Sequence, residues 1–129
     1  MTDLSAAWLD GDPTARWRSG AVLGAGAGAK AAGASLLEVD SGCRLPRHTD
    51  SAEEVIVVVE GTAEVTVGHD RSTAGAGEMA LVPEGVPHEV RNAGDGVLRF
   101  AAVYAAPEVV TTYEAPVQPA GEAERKATA

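Results

Sequence analysis

Only three histidines occur in the 129 residues, and two of them stand among acids and turn-forming residues. In GCRLPRHTDSAEEVIVVVEG, residues 42 to 61, His48 and Asp50 are two apart and Glu54 keeps the same parity. Side chains of an extended chain alternate between faces, so all three can project to one side. In GEMALVPEGVPHEVRN, residues 77 to 92, Pro83, Gly85 and Pro87 make a stiff turn that delivers His88 at the start of a strand. Imidazole and carboxylate together suit a divalent first-row metal. Two His with one carboxylate can leave coordination positions open for water or substrate. The third histidine, His69, lies in the polar turn GHDRS and reads as a solvated loop residue. Cys43 reads as a small buried hydrophobe, since no second Cys supports redox or thiolate chemistry. Glu53 adjoins Glu54 and belongs on the opposite, solvated face.

The elements that must hold these groups are short and closely spaced. ASLLEV (34 to 39), EVIVVVE (54 to 60), TAEVTVG (62 to 68), EMALVP (78 to 83), HEVRN (88 to 92) and VLRFAAVY (97 to 104) are strand-length and rich in β-branched residues. Turn clusters separate them, and Glu60-Gly61 joins two runs so tightly that a hairpin is expected. With no 3.6-residue period here, the pattern is that of an all-β sandwich or barrel. Residues 1 to 19 read as an N-terminal arm whose Trp8 and Trp17 cover apolar surface, and residues 20 to 115 as the barrel. Within the barrel, the Gly/Ala-rich stretch from 20 to 33 reads as a flexible connection; its glycines fit neither GxxxxGK[ST] nor GxGxxG. One more strand is expected at 109 to 113, and residues 116 to 129 read as a flexible C-terminal tail.

Composition narrows the class. The chain is 45% apolar but only 4% aromatic, so its core is built from Val, Leu and Ala. A single Cys excludes an internal disulfide framework and suits a reducing, cytoplasmic setting. A net charge of -9 opposes nucleic acid and anionic membrane as partners. No apolar run approaches the roughly 18 to 20 residues that cross a bilayer, and the first residues, with early acids and no continuous apolar stretch, do not read as a secretory signal.

The two chemistry-bearing segments resemble the paired motifs of the cupin superfamily. The first family motif is Gly, five residues, His, one residue, His, three or four residues, Glu, six residues, Gly. Here it is Gly42, His48, Asp50, Glu54 and Gly61, with Asp50 in place of the second histidine. The second is Gly, five residues, Pro, one residue, Gly, two residues, His, three residues, Asn. It is met at every position by Gly77, Pro83, Gly85, His88 and Asn92. The resemblance implies a double-stranded β-helix, or jelly-roll, barrel with a divalent transition metal in its mouth. It places His48, Glu54 and His88 on family ligand positions and Asp50 on the fourth.

Three roles for Asp50 follow. As a ligand it would give a shell of two His and two carboxylates, harder than three His and one Glu, favouring Fe, Mn, Co or Zn over copper. Outside the shell it would serve as a general base or accept backbone hydrogen bonds. Otherwise its presence has abolished tight metal binding, leaving His48 and His88 as acid/base or binding groups. Met79, Phe100 and Tyr104 are candidates for the substrate pocket, with ordinary core packing as the alternative. Arg44, Arg47 and Arg99 could orient an anion at the rim, or simply lie on the surface. Small relatives in this superfamily include dioxygenases, isomerases, lyases and polyketide cyclases. A metal-dependent enzyme acting on a small oxygenated metabolite is therefore expected, with a non-catalytic ligand-binding cupin as the alternative. Small cupins commonly pair through edge strands, so a homodimer is expected.

Overall fold

The structure is a computed structural model and describes residues 16 to 117 and 122 to 127. Eleven strands follow in order among these residues: β1 (Trp17–Leu23), β2 (Gly33–Val39), β3 (Arg44–Asp50), β4 (Glu54–Glu60), β5 (Thr62–Val67), β6 (Asp70–Gly75), β7 (Met79–Val82), β8 (His88–Asn92), β9 (Leu98–Tyr104), β10 (Val109–Val117) and β11 (Glu122–Ala127). A three-residue 3-10 turn, Ala25–Ala27, separates β1 from β2. The strands form a five-stranded sheet, β1-β2-β9-β4-β7, and a six-stranded sheet, β11-β10-β3-β8-β5-β6. Every recorded strand pair is antiparallel. This is the expected all-β jelly roll, two sheets enclosing one core.

Alternation of side chains fills that core. On β4, Glu54, Ile56 and Val58 point inward; on β9, Leu98, Phe100, Ala102 and Tyr104 do; on β5, Ala63 and Val65 do. Together with Trp17, Leu37, Val39, Leu45, Val82 and Val90 the apolar ones make a single cluster, mostly aliphatic as the composition demands. Gly61 turns the β4–β5 hairpin with φ of 89°, a left-handed conformation that side chains disfavour. A Cβ there would also come within 3.0 Å of the Val97 carbonyl oxygen, so shape and conformation both require glycine.

Four segments differ from the sequence reading. Residues 17 to 23 form β1, paired along β2, so the boundary drawn between arm and barrel falls inside a strand and the connection is confined to residues 24 to 32. Trp17 is fully buried in the core rather than covering its surface, while Trp8 lies outside the described residues. Residues 70 to 75, read as a turn cluster, form β6 against β5. In the tail, β10 extends to Val117 and residues 122 to 127 form β11 against it. Strand pairing supplied by neighbours overrides weak local propensity in Gly-, Ser- and Ala-rich sequence.

Candidate metal centre

The centre lies between the two sheets at one end of the core. β3 enters it past Pro46, where the pairing with β8 shifts between Leu45 and His48. This irregularity changes the parity, so Leu45 and His48, three residues apart, both face inward. Proline is accommodated at such a point because it needs no ladder donor. Beyond it, His48 pairs directly with His88 of β8, and Asp50 follows two residues later on the same face. The turn before β8 is anchored on this strand by a hydrogen bond from the Gly85 N–H to the Asp50 carbonyl, 3.0 Å. Gly85 has φ of 74°, which explains glycine in that turn. Glu54 does not share a strand with His48 and Asp50. It opens β4 in the opposite sheet, beside Tyr104 and Val82, and faces the histidines across the core.

All four side chains are buried, His48, Asp50, Glu54 and His88 being 4%, 3%, 3% and 1% exposed. Nδ1 of His48 lies 2.6 Å from the Pro46 carbonyl oxygen and Nδ1 of His88 lies 2.9 Å from that of Val86. A carbonyl can only accept, so each Nδ1 carries the proton and Nε2 is the free lone pair of the neutral ring. Both Nε2 atoms face Asp50 Oδ2, at 3.6 Å from His48 and 3.1 Å from His88; His88 Nε2 is also 3.0 Å from Glu54 Oε1. Short as these approaches are, Asp50 Oδ2, Glu54 Oε1 and His88 Nε2 are buried without a hydrogen-bond partner of good geometry. The other Asp50 oxygen is already engaged: the Thr111 hydroxyl of β10 donates to Oδ1 at 2.6 Å.

Lone pairs and carboxylates converging in a dry interior repel one another unless a positive charge lies among them. Without a metal, a proton meets that need. Burial works to lower the His88 pKa, but Asp50 and Glu54 outweigh it and push the imidazole up to about 10. Burial likewise opposes the Asp50 charge, yet His48 and His88 hold its carboxyl well below the usual carboxylate range. Burial pushes the Glu54 carboxyl up, despite His88, and the nearby Asp50 charge adds to that rise. A divalent cation would meet the same donors. The ligand atoms of His48, Asp50 and His88 lie within 4.8 Å of one another, and these residues form a group able to hold a metal ion. Glu54 stands outside that mutual set and adjoins it through His88.

The matched protein family is described as a cupin domain and spans residues 35 to 104 of this chain. The chain belongs to this family. Among curated proteins, this cupin is 32% identical over 73 residues to the uncharacterised protein SCO3923 of Streptomyces coelicolor, covering 57% of this chain and 69% of that one. Among solved structures it resembles the Lactobacillus farciminis oxalate decarboxylase in its formate complex, with a TM-score of 0.72 at 20% identity over 81% of this chain. The cupin spans about a third of that enzyme, 32%. It also resembles the polyketide cyclase RemF of Streptomyces resistomycificus, TM-score 0.68 at 20% identity, covering 81% of this chain and 77% of RemF. At these identities the likeness establishes the jelly-roll fold.

The remaining candidates separate sharply. Met79 is 67% exposed on the outer side of β7 and does not line the interior. Phe100 is buried in the core between Leu37 and Val58. Tyr104 is buried beside Glu54; burial, with the Glu54 and Asp50 charges, pushes its phenol well above its ordinary pKa, so it stays protonated. Arg44 and Arg47 line one surface pocket with Pro46, Glu89 and Glu114, whereas Arg99 lies apart on β9 of the other sheet. The three arginines pair with Glu89, Glu114 and Glu38 respectively. The motif residue Asn92 is a staple for the following turn, donating to the Val39 and Gly96 carbonyls and accepting from the Gly94 N–H. Tyr113 escaped the sequence reading. It pairs with His48 across β10 and β3, its ring 5.2 Å from the imidazole, and Trp17 lies 6.0 Å beyond. Thr111 escaped it too, because nothing local links a threonine in the C-terminal part of the chain to an aspartate 61 residues earlier.

Proposed function

We propose that this cupin is a metal-dependent enzyme acting on a small oxygenated organic molecule, with His48, Asp50, His88 and Glu54 holding a divalent first-row metal. The observation that carries the reading is the set of three buried, unpartnered donor atoms on Asp50, Glu54 and His88, facing one another between the sheets. Such atoms are rare in native interiors and call for a missing partner. Two imidazoles and two carboxylates suit Fe, Mn, Co or Zn better than copper. When bound, the metal would supply Lewis-acid polarisation of a substrate oxygen and a template for orienting it.

The chain's own residues have separate tasks. The Pro46 and Val86 carbonyls fix the tautomer and direction of both imidazoles. Thr111 occupies one Asp50 oxygen and leaves the other for the metal. A carboxyl held so far below its usual range is a weak base, so Asp50 is better suited to bind metal than to take a proton. Tyr104, protonated beside Glu54 and in contact with Ser35, would be a hydrogen-bond donor toward a bound substrate. The activities named for the oxalate decarboxylase and for the polyketide cyclase RemF support small-molecule chemistry in this fold.

Elemental analysis of protein purified without a chelating tag tests the reading, alongside His88→Ala and Asp50→Ala. One metal per chain, lost in both variants, is the expected result. Metal kept in Asp50→Ala would return Asp50 to a general-base or hydrogen-bonding role, and no metal after reconstitution would overturn the proposal. Product formation and oxygen consumption screened over phenolic and carboxylated metabolites separate an enzyme from a binder, for which tight binding without turnover is diagnostic.

A further inference from the structure

Charge inside the centre is one-sided. Among the described residues Asp50 and Glu54 are the only buried carboxylates, and both point into it. No described cationic side chain answers them. Every arginine from Arg16 to Arg99 is ion-paired elsewhere, to Glu38, Asp40, Glu64, Glu89 or Glu114. Lys30 is exposed in the connection between β1 and β2. The imidazoles of His48 and His88 add no charge when they offer Nε2 as a lone pair, because the Pro46 and Val86 carbonyls keep one proton on each Nδ1. Tyr104 keeps its proton and is neutral as well.

That sum decides what the site can admit. A divalent metal held by Asp50, Glu54 and two neutral imidazoles has its charge cancelled by the two carboxylates. A histidine in place of Asp50 would leave one positive charge over, available to an anion. In this chain an anionic group reaching the metal would stand in a dry interior with no counterion. An unpaired buried charge is among the costliest groups a protein interior can hold, whereas an uncharged oxygen incurs no such cost. The net charge of -9 works in the same direction at longer range, since it repels anions on approach.

We infer that the centre takes an uncharged oxygen of its substrate, that of a ketone, an aldehyde or a phenol that keeps its proton, and that Asp50 sets this preference. A carboxylate elsewhere on the substrate stays outside the interior. Oxalate, a dianion, is therefore the wrong substrate despite the likeness of fold to oxalate decarboxylase. This preference rests on the metal reading proposed above and adds to it the charge of what binds there. The full chain loaded with cobalt(II) and followed by its visible absorption tests it, at about pH 8 where imidazole is neutral. The probes are imidazole and the azide anion, on the wild type and on Asp50→His. In the wild type, imidazole should change the cobalt spectrum and azide should not below about 10 mM. Asp50→His should tighten azide binding at least about tenfold and leave imidazole within about twofold, because only the anion responds to the added charge. Azide bound by the wild type as tightly as imidazole would overturn the proposal, whether or not the variant holds cobalt. An equal change for both probes in Asp50→His would do the same. A wild-type chain that takes up no cobalt overturns the metal reading and this preference with it, a result visible before any probe is added.

Discussion

The two ends of the space between the sheets are built by the same strands and serve opposite purposes. β4 begins with Glu54 and continues inward with Ile56 and Val58; β8 begins with His88 and continues with Val90; β3 carries Leu45 before its irregularity and His48 and Asp50 after it. One end is closed by Val39, Leu98, Leu45 and Val90, all buried and apolar. The other concentrates four ionisable side chains, three of them with an unpartnered buried atom. Alternation along a strand does not distinguish these ends, since inward is inward at both. The apolar end supplies burial energy that the polar end sets against its own desolvation. Stability and chemistry are thus separated by a few residues along each strand.

That separation can be broken or sharpened by substitution. The largest effect on stability belongs to the apolar end: Phe100→Ala should cost about 3 to 5 kcal/mol in urea denaturation, with metal content per folded chain unchanged. If Phe100→Ala also releases the metal, the two ends are one unit. At the polar end the balance reverses. Glu54→Gln should shift the stability of the metal-free protein by no more than about 1 kcal/mol, because burial already disfavours its charge. Its metal affinity, measured by competition with a chelator, should fall by more than the about 100-fold typical of losing a supporting partner.

Protons compete with the metal for the polar end alone. The folded pKa of His88, about 10, lies above the ordinary unfolded value of about 6.5. The stabilisation from protonated His88 is therefore complete below about pH 6.5 and lost as pH rises through about 10. Melting temperatures of metal-free and metal-loaded protein should accordingly diverge across that window, the metal-free form falling; parallel curves would contradict an imidazolium held between Asp50 and Glu54. Thr111→Val probes the support around the ligands. It should weaken metal binding about tenfold with little change in stability, since only the hydroxyl on Asp50 Oδ1 is removed. Smallest of all, Arg91→Ala on the solvated face breaks an exposed pair with Glu64 and should leave both the melting temperature and the metal content unchanged.

Legibility in the sequence followed the strength of local signals. Residues 54 to 60 and 88 to 92 form strands over the bounds their patterns suggest, because β-branched runs end abruptly at turn residues. β1, β6 and β11 were not legible, since the small polar residues of β1 and β6 and the charged run EAERKA of β11 carry no strand pattern and become strands only when a neighbour pairs with them. Spacing correctly suggested that His48 and Asp50 share a face, but it brought Glu54 onto that face by parity along one extended chain. The bend at Ser51 to Glu53 sends Glu54 into the other sheet, and it reaches the site from across the core.

By itself the sequence determined the fold class and the family, because glycines, prolines and a histidine at fixed intervals encode turns and strand starts that are local in origin. It also supplied the residues from which a metal centre can be built. Only the tertiary structure decided how they meet: His48 against His88 through an irregular register, Glu54 from the facing sheet, Thr111 on Asp50, and Tyr113 over His48. These contacts join residues far apart in the chain, and their geometry depends on strand order and sheet packing, which no local pattern carries.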